Sequence, residues 1–284
     1  MAAHQQEFRV TAMCRVLAAP RSGFYAWLAK PQSNRERDDQ RVLGLIKQAW
    51  LESGTVYGYR KIAQDMREIG EGCGKHRVYR LMRSEGLRAQ VGYGRRPQPR
   101  GGTPSVVAPN LLNRQFDVAA PNTHWVTDIT YIRTHEGWLY LATVMDLFSR
   151  RIVGWATQNT LHAEVVLQAL LAAVWRRKPR PGLMLHSDQG CQFTSHDWQS
   201  FLKDHGIVCS MSRRGNCHDN AVAESFYQLI KRERIRRKIY ATRAAARSDV
   251  FDYIEMFYNP NRRHGSSGNV SPVEFERRAG LSGS

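Results

Sequence analysis

The chain has 284 residues, 42% of them hydrophobic, which is enough for about two folded domains with sizeable cores. Its 42 Lys and Arg against 25 Asp and Glu give a net charge of +17, which makes a polyanion the leading partner. There is no apolar run of about 18 residues and no signal-peptide pattern, which argues against a membrane-spanning or secreted protein. The five cysteines include no CxxC pair, so we expect free thiols in a reducing cytoplasm.

The N-terminal part is predicted to be helical over 1–55, with a candidate helix-turn-helix over 56–92. Apolar residues at helical spacing define two helices separated by a glycine-rich turn: Ile62, Met66, Ile69, Val78, Leu81 and Met82. The outer face of the second helix carries His76, Arg80 and Arg83, as a DNA-contacting helix would. A plain helical hairpin with a solvated face is the alternative.

A basic linker is expected over 93–117, because its first part is rich in proline and glycine, which disfavour regular structure. Arg95 and Arg96 lie in this linker and favour contact with a phosphate backbone. An α/β core is expected over 118–240, and a basic, mostly helical tail over 241–284.

The core pattern predicts three antiparallel strands followed by alternating helices and strands. The predicted strands are 124–132, 138–146, 150–157, 182–187 and 207–212. The predicted helices are 161–176, 195–205 and a helix around Glu224 whose basic continuation runs to Lys238.

Three carboxylates stand out by their local settings. Asp128 lies in a strand pattern, Asp188 lies where a strand runs into a turn, and Glu224 lies in a helical pattern. Residues on strands and a helix can meet in space, and carboxylate oxygens are the ligands that hard divalent cations prefer. Such a cluster suits in-line phosphoryl chemistry with two metal ions.

The helix around Glu224 has an apolar arc formed by four residues at helical spacing: Val222, Phe226, Leu229 and Ile230. Glu224 and Lys231 fall together on the side opposite to that arc. On this segment alone, a solvated polar face is the simpler interpretation. Together with Asp128 and Asp188, the pattern favours Glu224 as a metal ligand and Lys231 as a phosphate contact.

Three blocks carry a resemblance to a known family: WVTDITYI at 125–132, HSDQGCQFTS at 186–195 and GNCHDNAVAESF at 215–226. They resemble bacterial insertion-sequence transposases with a retroviral-integrase-type (DDE) core. The 35 residues between Asp188 and Glu224, and the basic Lys231 seven positions after Glu224, match that family. The resemblance implies a ribonuclease-H-like α/β core with a mixed five-stranded sheet, preceded by a helical region containing the helix-turn-helix.

The same resemblance implies a DNA transposase in which Asp128, Asp188 and Glu224 hold two Mg²⁺ ions, with Mn²⁺ as a substitute. The enzyme would cleave the element ends and join the freed 3′-OH to target DNA. It would act as an oligomer, in the bacterial cytoplasm at the nucleoid. A ribonuclease-H-like nuclease or junction resolvase, or a non-catalytic DNA-binding regulator, remains as an alternative.

Other polar residues near these blocks have less certain roles. His186 and Asn220 are candidate supporting residues of the site, although an ordinary hydrogen-bonded histidine is the simpler interpretation of His186. Asp146 is expected to cap a turn rather than to be a fourth catalytic carboxylate. Further candidate DNA contacts are Arg213, Arg214, Arg262 and Arg263.

The sequence contains no sustained heptad pattern, so it predicts no coiled-coil zipper. In the family that the chain resembles, a first reading frame supplies a zipper and an end-recognising helix-turn-helix by frameshift fusion. We therefore expect this chain to be the second-frame catalytic protein, with that first-frame protein as its partner.

Overall fold

The computed structural model describes residues 1–29, 32–90, 108–213 and 217–280, apart from the side chains of Cys217, His218 and Arg237. The chain divides into two compact units between Gln90 and Val91. Within the described ranges, no helix is long and apolar enough to cross a membrane.

The first unit consists of helices, as expected. They are α1 (Val10–Val16), α2 (Arg21–Ala29), α3 (Asn34–Glu52), α4 (Tyr59–Glu68) and α5 (Lys75–Ser84). The predicted apolar faces of α4 and α5 are buried at Ile62, Met66, Val78, Leu81 and Met82. The prediction was wrong for Ile69, which is 62% exposed, because α4 ends at Glu68.

A network of ion pairs joins α3 to α5. Arg77 donates to Asp38 and Asp39 at 2.8 and 2.7 Å, and Arg80 donates to Asp39 at 2.6 Å. The hydrogen bonds from these arginines lower the pKa of both aspartates. Because water screens ion pairs that are accessible to solvent, each pair adds little stability.

The second unit is built on a five-stranded sheet in the order β3-β2-β1-β4-β5. Its strands are β1 (His124–Thr134), β2 (Gly137–Asp146), β3 (Ile152–Gln158), β4 (Met184–Ser187) and β5 (Val208–Met211). The first three strands pair antiparallel, whereas β4 is parallel to β1 and β5 is parallel to β4. The predicted mixed five-stranded sheet is therefore confirmed.

Two helices of the second unit occupy their predicted places between strands, α6 (Ala163–Arg177) and α7 (His196–Asp204). α6 packs closely on β3 at Gly154, where an added Cβ would come within 2.2 Å of the carbonyl oxygen of Ala169. Trp125, Val166 and Trp198 lie in the fully buried core that the helices share with the sheet. This packing fixes the sheet on which the candidate carboxylates lie.

The helix that carries Glu224, α8 (Ala221–Glu233), is shorter than its basic continuation predicted. It ends at Glu233, and a short 3-10 turn (Ile235–Arg237) follows. The prediction that the helix continues to Lys238 was wrong. The backbone leaves the helical conformation at Arg234, at φ −130° and ψ −63°. The last helical residue, Glu233, is buried and paired with Arg262, 29 residues further along the chain.

Arg262 is buried and does not belong to an exposed basic patch. It is 6% exposed, and its guanidinium donates to both carboxylate oxygens of Glu233 at 2.8 and 2.7 Å. Tyr253 adds a third hydrogen bond to Glu233, at 2.6 Å. The structure therefore contradicts the predicted DNA contact for Arg262, because its charged group is committed to the interior.

The C-terminal segment packs against the core of the second unit. It comprises α9 (Arg243–Phe251), a π-helical stretch (Asp252–Tyr258) and α10 (Pro272–Arg278). Glu276 of α10 is buried, where it accepts hydrogen bonds from Ser149, Arg151 and Arg177. Buried charges that are paired in this way attach the segment to the turn after β2 and to α6.

Arg262→Ala should lower the free energy of unfolding by about 3–5 kcal/mol, because it leaves the Glu233 carboxylate buried without its cation. Burial alone would raise the pKa of Glu233, but the hydrogen bonds and charge of Arg262 lower it overall. The contribution of the pair is therefore full above about pH 4.5 and is lost as the pH falls through the lowered value. Urea denaturation of the parent and the variant at pH 7 and at pH 4 measures the contribution of the pair to the free energy of unfolding.

Arg278→Ala is the matched control, since Arg278 forms an exposed ion pair with Glu274 at 2.7 Å. Its loss should change stability by less than about 1 kcal/mol. Equal effects of the two substitutions would show that the Glu233–Arg262 pair is not a structural anchor.

Candidate active site

The parallel pairing of β1 and β4 brings Asp128 and Asp188 together. Their register aligns Trp125 with Leu185 and Val126 with His186. The same register continued by two residues places Asp188, just past the end of β4, beside Asp128. Each carboxylate also accepts one nearby backbone N–H, from Ile129 at 2.7 Å and from Gly190 at 2.9 Å.

Two side chains attach α8 to β1, one within the helix and one directly before it. The Tyr227 hydroxyl donates to the carbonyl oxygen of Asp128, so it accepts from Thr143 Oγ1, at 2.8 Å. Asn220, the residue before the helix, donates from Nδ2 to the carbonyl oxygen of Thr127 at 3.3 Å. Neither bond uses the carboxylate of Asp128. Together they hold the first half of α8, which includes Glu224, against the strand that carries Asp128.

The sequence did not predict the role of Tyr227, and this error shifted the predicted face of α8. The buried hydrophobic residues of the helix are Ala223, Phe226, Tyr227 and Ile230. Their arc is centred roughly 65° from the predicted one, at 100° per residue. Glu224 and Lys231 therefore lie at the border of the buried face instead of opposite to it. A buried tyrosine that needs a hydrogen-bond partner is the signal that could have found this arrangement.

The Asp128 carboxylate interacts electrostatically with Asp188 and Glu224. Burial raises the pKa of Asp128 well above its usual value, and the charges of Asp188 and Glu224 raise it further. Burial also raises the pKa of Asp188. Lys231 is a cation that acts on Asp128 in the opposite sense. Like charges brought together in a buried place favour either a bound proton or a bound cation.

The donor chemistry fits a hard divalent cation, since it consists of carboxylate oxygens from three different elements. Among the described residues, however, no group of three His, Cys, Asp or Glu side chains already lies in metal-binding arrangement.

Lys231 lies between the carboxylates and an exposed aromatic side chain. Its ammonium nitrogen is 4.8 Å from the centre of the Tyr131 ring, a cation–π contact. Burial and the nearby charge of Arg236 lower the pKa of Lys231, whereas Asp128 raises it. The residue is half-buried, and its charge interacts with that of Asp128.

His186 contacts β5 and its continuation. Its Nδ1 lies 2.9 Å from Ser210 Oγ and its Nε2 lies 3.1 Å from Ser212 Oγ. Burial lowers the pKa of His186 to about 4, so the ring is neutral near pH 7. Both ring nitrogens are occupied by serines, which agrees with the simpler interpretation of this residue.

Asp146 caps a turn, as expected. Its carboxylate accepts from the backbone N–H of Phe148 at 3.0 Å and of Asn122 at 2.8 Å. It thereby joins the turn after β2 to the residues that lead into β1.

Asp219, two residues before α8, has a structural role. It is fully buried and accepts hydrogen bonds from Asn110, Arg114 and Arg213 at 2.8–3.1 Å. The hydrogen bonds of Arg213 are the main reason why its pKa is lowered. The cluster joins the entry to the core, the end of β5 and the start of α8.

The candidate DNA contacts are distributed over both units. His76, Arg80 and Arg83 are exposed on α5, and Arg80 also pairs with Asp39. The Arg213 side chain is 54% exposed although it pairs with Asp219, and Arg263 is half-buried. Arg95, Arg96 and Arg214 lie outside the described residues.

The integrase core domain matches this chain at residues 118–217 and again at 224–279, and an HTH-like domain matches at 36–96. Fold and family models thus define a polynucleotidyl transferase of the integrase-core class with a helix-turn-helix-like domain. The transposase InsF for insertion sequence IS3A of Escherichia coli (strain K12) is 39% identical over 277 residues, 97% of this chain and 96% of that protein.

An uncharacterized 31 kDa protein of insertion element IS600 from Shigella sonnei is 38% identical over 94% of this chain and 98% of its own length. The chain therefore belongs to the insertion-sequence transposases with an integrase core, and it is a DNA transposase. The nuclease and regulator alternatives are not favoured. The HTLV-2 integrase catalytic core domain in complex with magnesium aligns with 55% of this chain and 96% of its own, at 16% identity and a TM-score of 0.42.

Asp128→Asn should stabilise the metal-free protein at neutral pH, because it removes a buried charge that two like charges oppose. The raised pKa means that the folded state holds the proton more tightly than the unfolded state does. Ionisation therefore disfavours the fold as the pH rises above about 4, and the advantage of asparagine should grow with pH. Thermal unfolding in EDTA should show a midpoint at least about 3 °C higher than the parent's.

Mg²⁺ should raise the midpoint of the parent and leave that of the variant almost unchanged. The exposed Asp197, changed to Asn, serves as the control with no shift in either condition. A destabilised Asp128→Asn protein in EDTA would contradict the electrostatic description of the site.

Proposed function

We propose that Asp128, Asp188 and Glu224 are the catalytic carboxylates with which this transposase cleaves element ends and joins them to target DNA. The observation that carries the proposal is the cluster itself: three carboxylates from β1, the end of β4 and α8 act on one another electrostatically. A protein tolerates such repulsion where a cation is to be bound. Burial raises the pKa of both Asp128 and Asp188, and the charges of Asp188 and Glu224 raise that of Asp128 further.

Mg²⁺ is the proposed metal, with Mn²⁺ as a substitute, and two such ions would activate the attacking oxygen and stabilise the leaving oxygen. The chain's own residues contribute position and charge. Tyr227 and Asn220 hold α8 against β1, which keeps Glu224 close to Asp128. Lys231 would contact a phosphate next to the scissile bond, where its half-buried ammonium already faces the carboxylates.

DNA binding is proposed to rest on several basic groups outside this cluster. The net charge of +17 supports an extended phosphate interface. The proposed contacts on described residues are His76, Arg80, Arg83, Arg213 and Arg263. Arg95, Arg96 and Arg214 are proposed from the sequence alone.

We further propose that the protein works as an oligomer on DNA in the bacterial cytoplasm, with a first-frame protein of the same element as its partner. The exposed face of α5 supports the need for a partner. Its basic side chains suit phosphate contacts, which position a protein on DNA without specifying sequence.

Asp188→Asn should abolish both cleavage and joining, by roughly 10³-fold or more in rate, while DNA affinity stays within about twofold. Labelled element ends and a target plasmid in Mg²⁺ measure both steps. Asp197→Asn on α7 is the matched control and should react as the parent does. Mn²⁺ should replace Mg²⁺, whereas Ca²⁺ should allow binding with little turnover, because it takes longer and more numerous oxygen contacts. Activity of Asp188→Asn within tenfold of the parent would overturn the assignment.

The isolated chain should bind element ends and unrelated DNA with affinities within about tenfold, since phosphate contacts dominate. In a fusion to the first-frame protein, the affinities for element ends and for unrelated DNA should differ by a larger factor. A competition gel shift at physiological salt measures both affinities. A clear preference for the ends by the isolated chain would show that it carries its own specificity.

A further inference from the structure

Two large aromatic side chains are exposed on neighbouring strands close to the proposed catalytic carboxylates. Tyr131 of β1 is 50% exposed and Trp138 of β2 is 44% exposed. Their rings meet edge to face, with centroids 5.2 Å apart and planes at 87°. We call this pair the aromatic platform. Aromatic rings paired in this way on a surface keep a defined orientation at little cost in conformational entropy.

The platform adjoins the site through Lys231. The ammonium of Lys231 lies 4.8 Å from the Tyr131 ring centre and interacts electrostatically with Asp128. Tyr131 follows Asp128 by three positions on β1, about 10 Å along the strand, so the two side chains leave opposite faces of β1. Lys231 is the residue that interacts with both. A phosphate held by Lys231 therefore brings the adjacent nucleotide within reach of the platform.

The surroundings of the platform are basic. Arg133 is exposed and lies directly across from Trp138 in the β1–β2 register. Arg243 donates from Nε to the carbonyl oxygen of Trp138 at 3.1 Å. Glu136 brings an acidic group to the same turn, where it accepts from the backbone N–H of Arg243. Exposed aromatics flanked by cationic side chains match the surfaces on which unpaired bases stack.

We propose that the aromatic platform binds an unpaired base of the DNA, one or two nucleotides from the scissile phosphate, while Lys231 holds the phosphate between them. The proposal rests on the proposed function of the carboxylate cluster and names a further contact of that site. It assigns Trp138 and Tyr131 to substrate binding. The contact would hold the DNA end open beside the carboxylates.

The test uses the full chain and two fluorescein-labelled duplexes of the same element-end sequence. One is fully paired, and the other has its terminal three base pairs replaced by mismatches. Binding is measured by anisotropy in Ca²⁺ at physiological salt, so that cleavage is suppressed. The ratio of the two affinities removes the non-specific phosphate contribution, which both duplexes share.

The parent should prefer the mismatched duplex, and Trp138→Ala or Tyr131→Ala should each reduce that preference roughly fivefold or more. Trp138→Phe should keep most of it, because the ring still stacks. Affinity for the fully paired duplex should change less than twofold. Trp175→Ala is the matched control, since Trp175 is 74% exposed on α6, outside the platform, and its loss should change neither affinity.

A second readout uses 2-aminopurine at the unpaired position. Stacking on the platform should quench its fluorescence in the parent complex, and Trp138→Ala should restore it. Unchanged quenching together with unchanged preference in both alanine variants would overturn the proposal. The proposal also fails if Trp138→Ala alters only self-association in sedimentation, since the platform would then bind a second copy of the chain.

The proposed function can be judged separately. If the parent cleaves element ends but the alanine variants bind and quench as the parent does, only the platform is rejected. If the parent cleaves nothing in Mg²⁺ or Mn²⁺, the proposed catalytic cluster itself fails.

Discussion

The structure of the second unit depends on holding together carboxylates that repel one another. Asp128 and Asp188 are aligned by the parallel register of β1 and β4, so the sheet itself supplies the energy that keeps them close. Glu224 arrives on a separate helix and adds a third like charge. Hydrogen bonding to the backbone of β1, instead of to the Asp128 carboxylate, holds that helix in place. The site is thus positioned by neutral bonds, and Lys231 is a cation that interacts with the Asp128 carboxylate.

Buried ionic groups hold both ends of α8. At its start, Asp219 joins Arg213, six residues earlier, to Asn110 and Arg114, which lie 109 and 105 residues earlier. At its end, Glu233 pairs with Arg262 from the C-terminal segment. Buried pairs of this kind add little net stability compared with apolar packing, but breaking one is strongly unfavourable. They therefore fix where the helix begins and ends, and with it the location of Glu224.

Much of the fold could be predicted from local patterns. Alternating and β-branched residues marked the strands, and the settings of Asp128 and Asp188 at strand positions pointed to their meeting. Residues whose roles depend on distant partners could not be predicted in this way. Arg262 looked like part of a basic surface because Glu233, its partner, is remote in sequence. Tyr227 looked like an ordinary helix residue because the acceptor of its hydroxyl, the carbonyl oxygen of Asp128, lies on β1, 99 residues earlier.

The same limit applies to the end of α8. The basic run after Lys231 has the composition of an exposed helix, and helix propensity alone would extend it. In the structure the helix ends at Glu233, and Tyr240 further along the chain forms a bridge with Thr134 of β1. Local sequence thus determined the type of each element more reliably than its boundary.

The central claim, that three carboxylates form one metal-binding centre, is tested most directly by crystals of the full chain grown with Mn²⁺. An anomalous difference map locates the ion without reference to activity. We expect a peak within about 2.5 Å of carboxylate oxygens of both Asp128 and Asp188, with Glu224 turned towards it. A protein that is active in Mn²⁺ but shows its anomalous peaks only at other residues would contradict the claim.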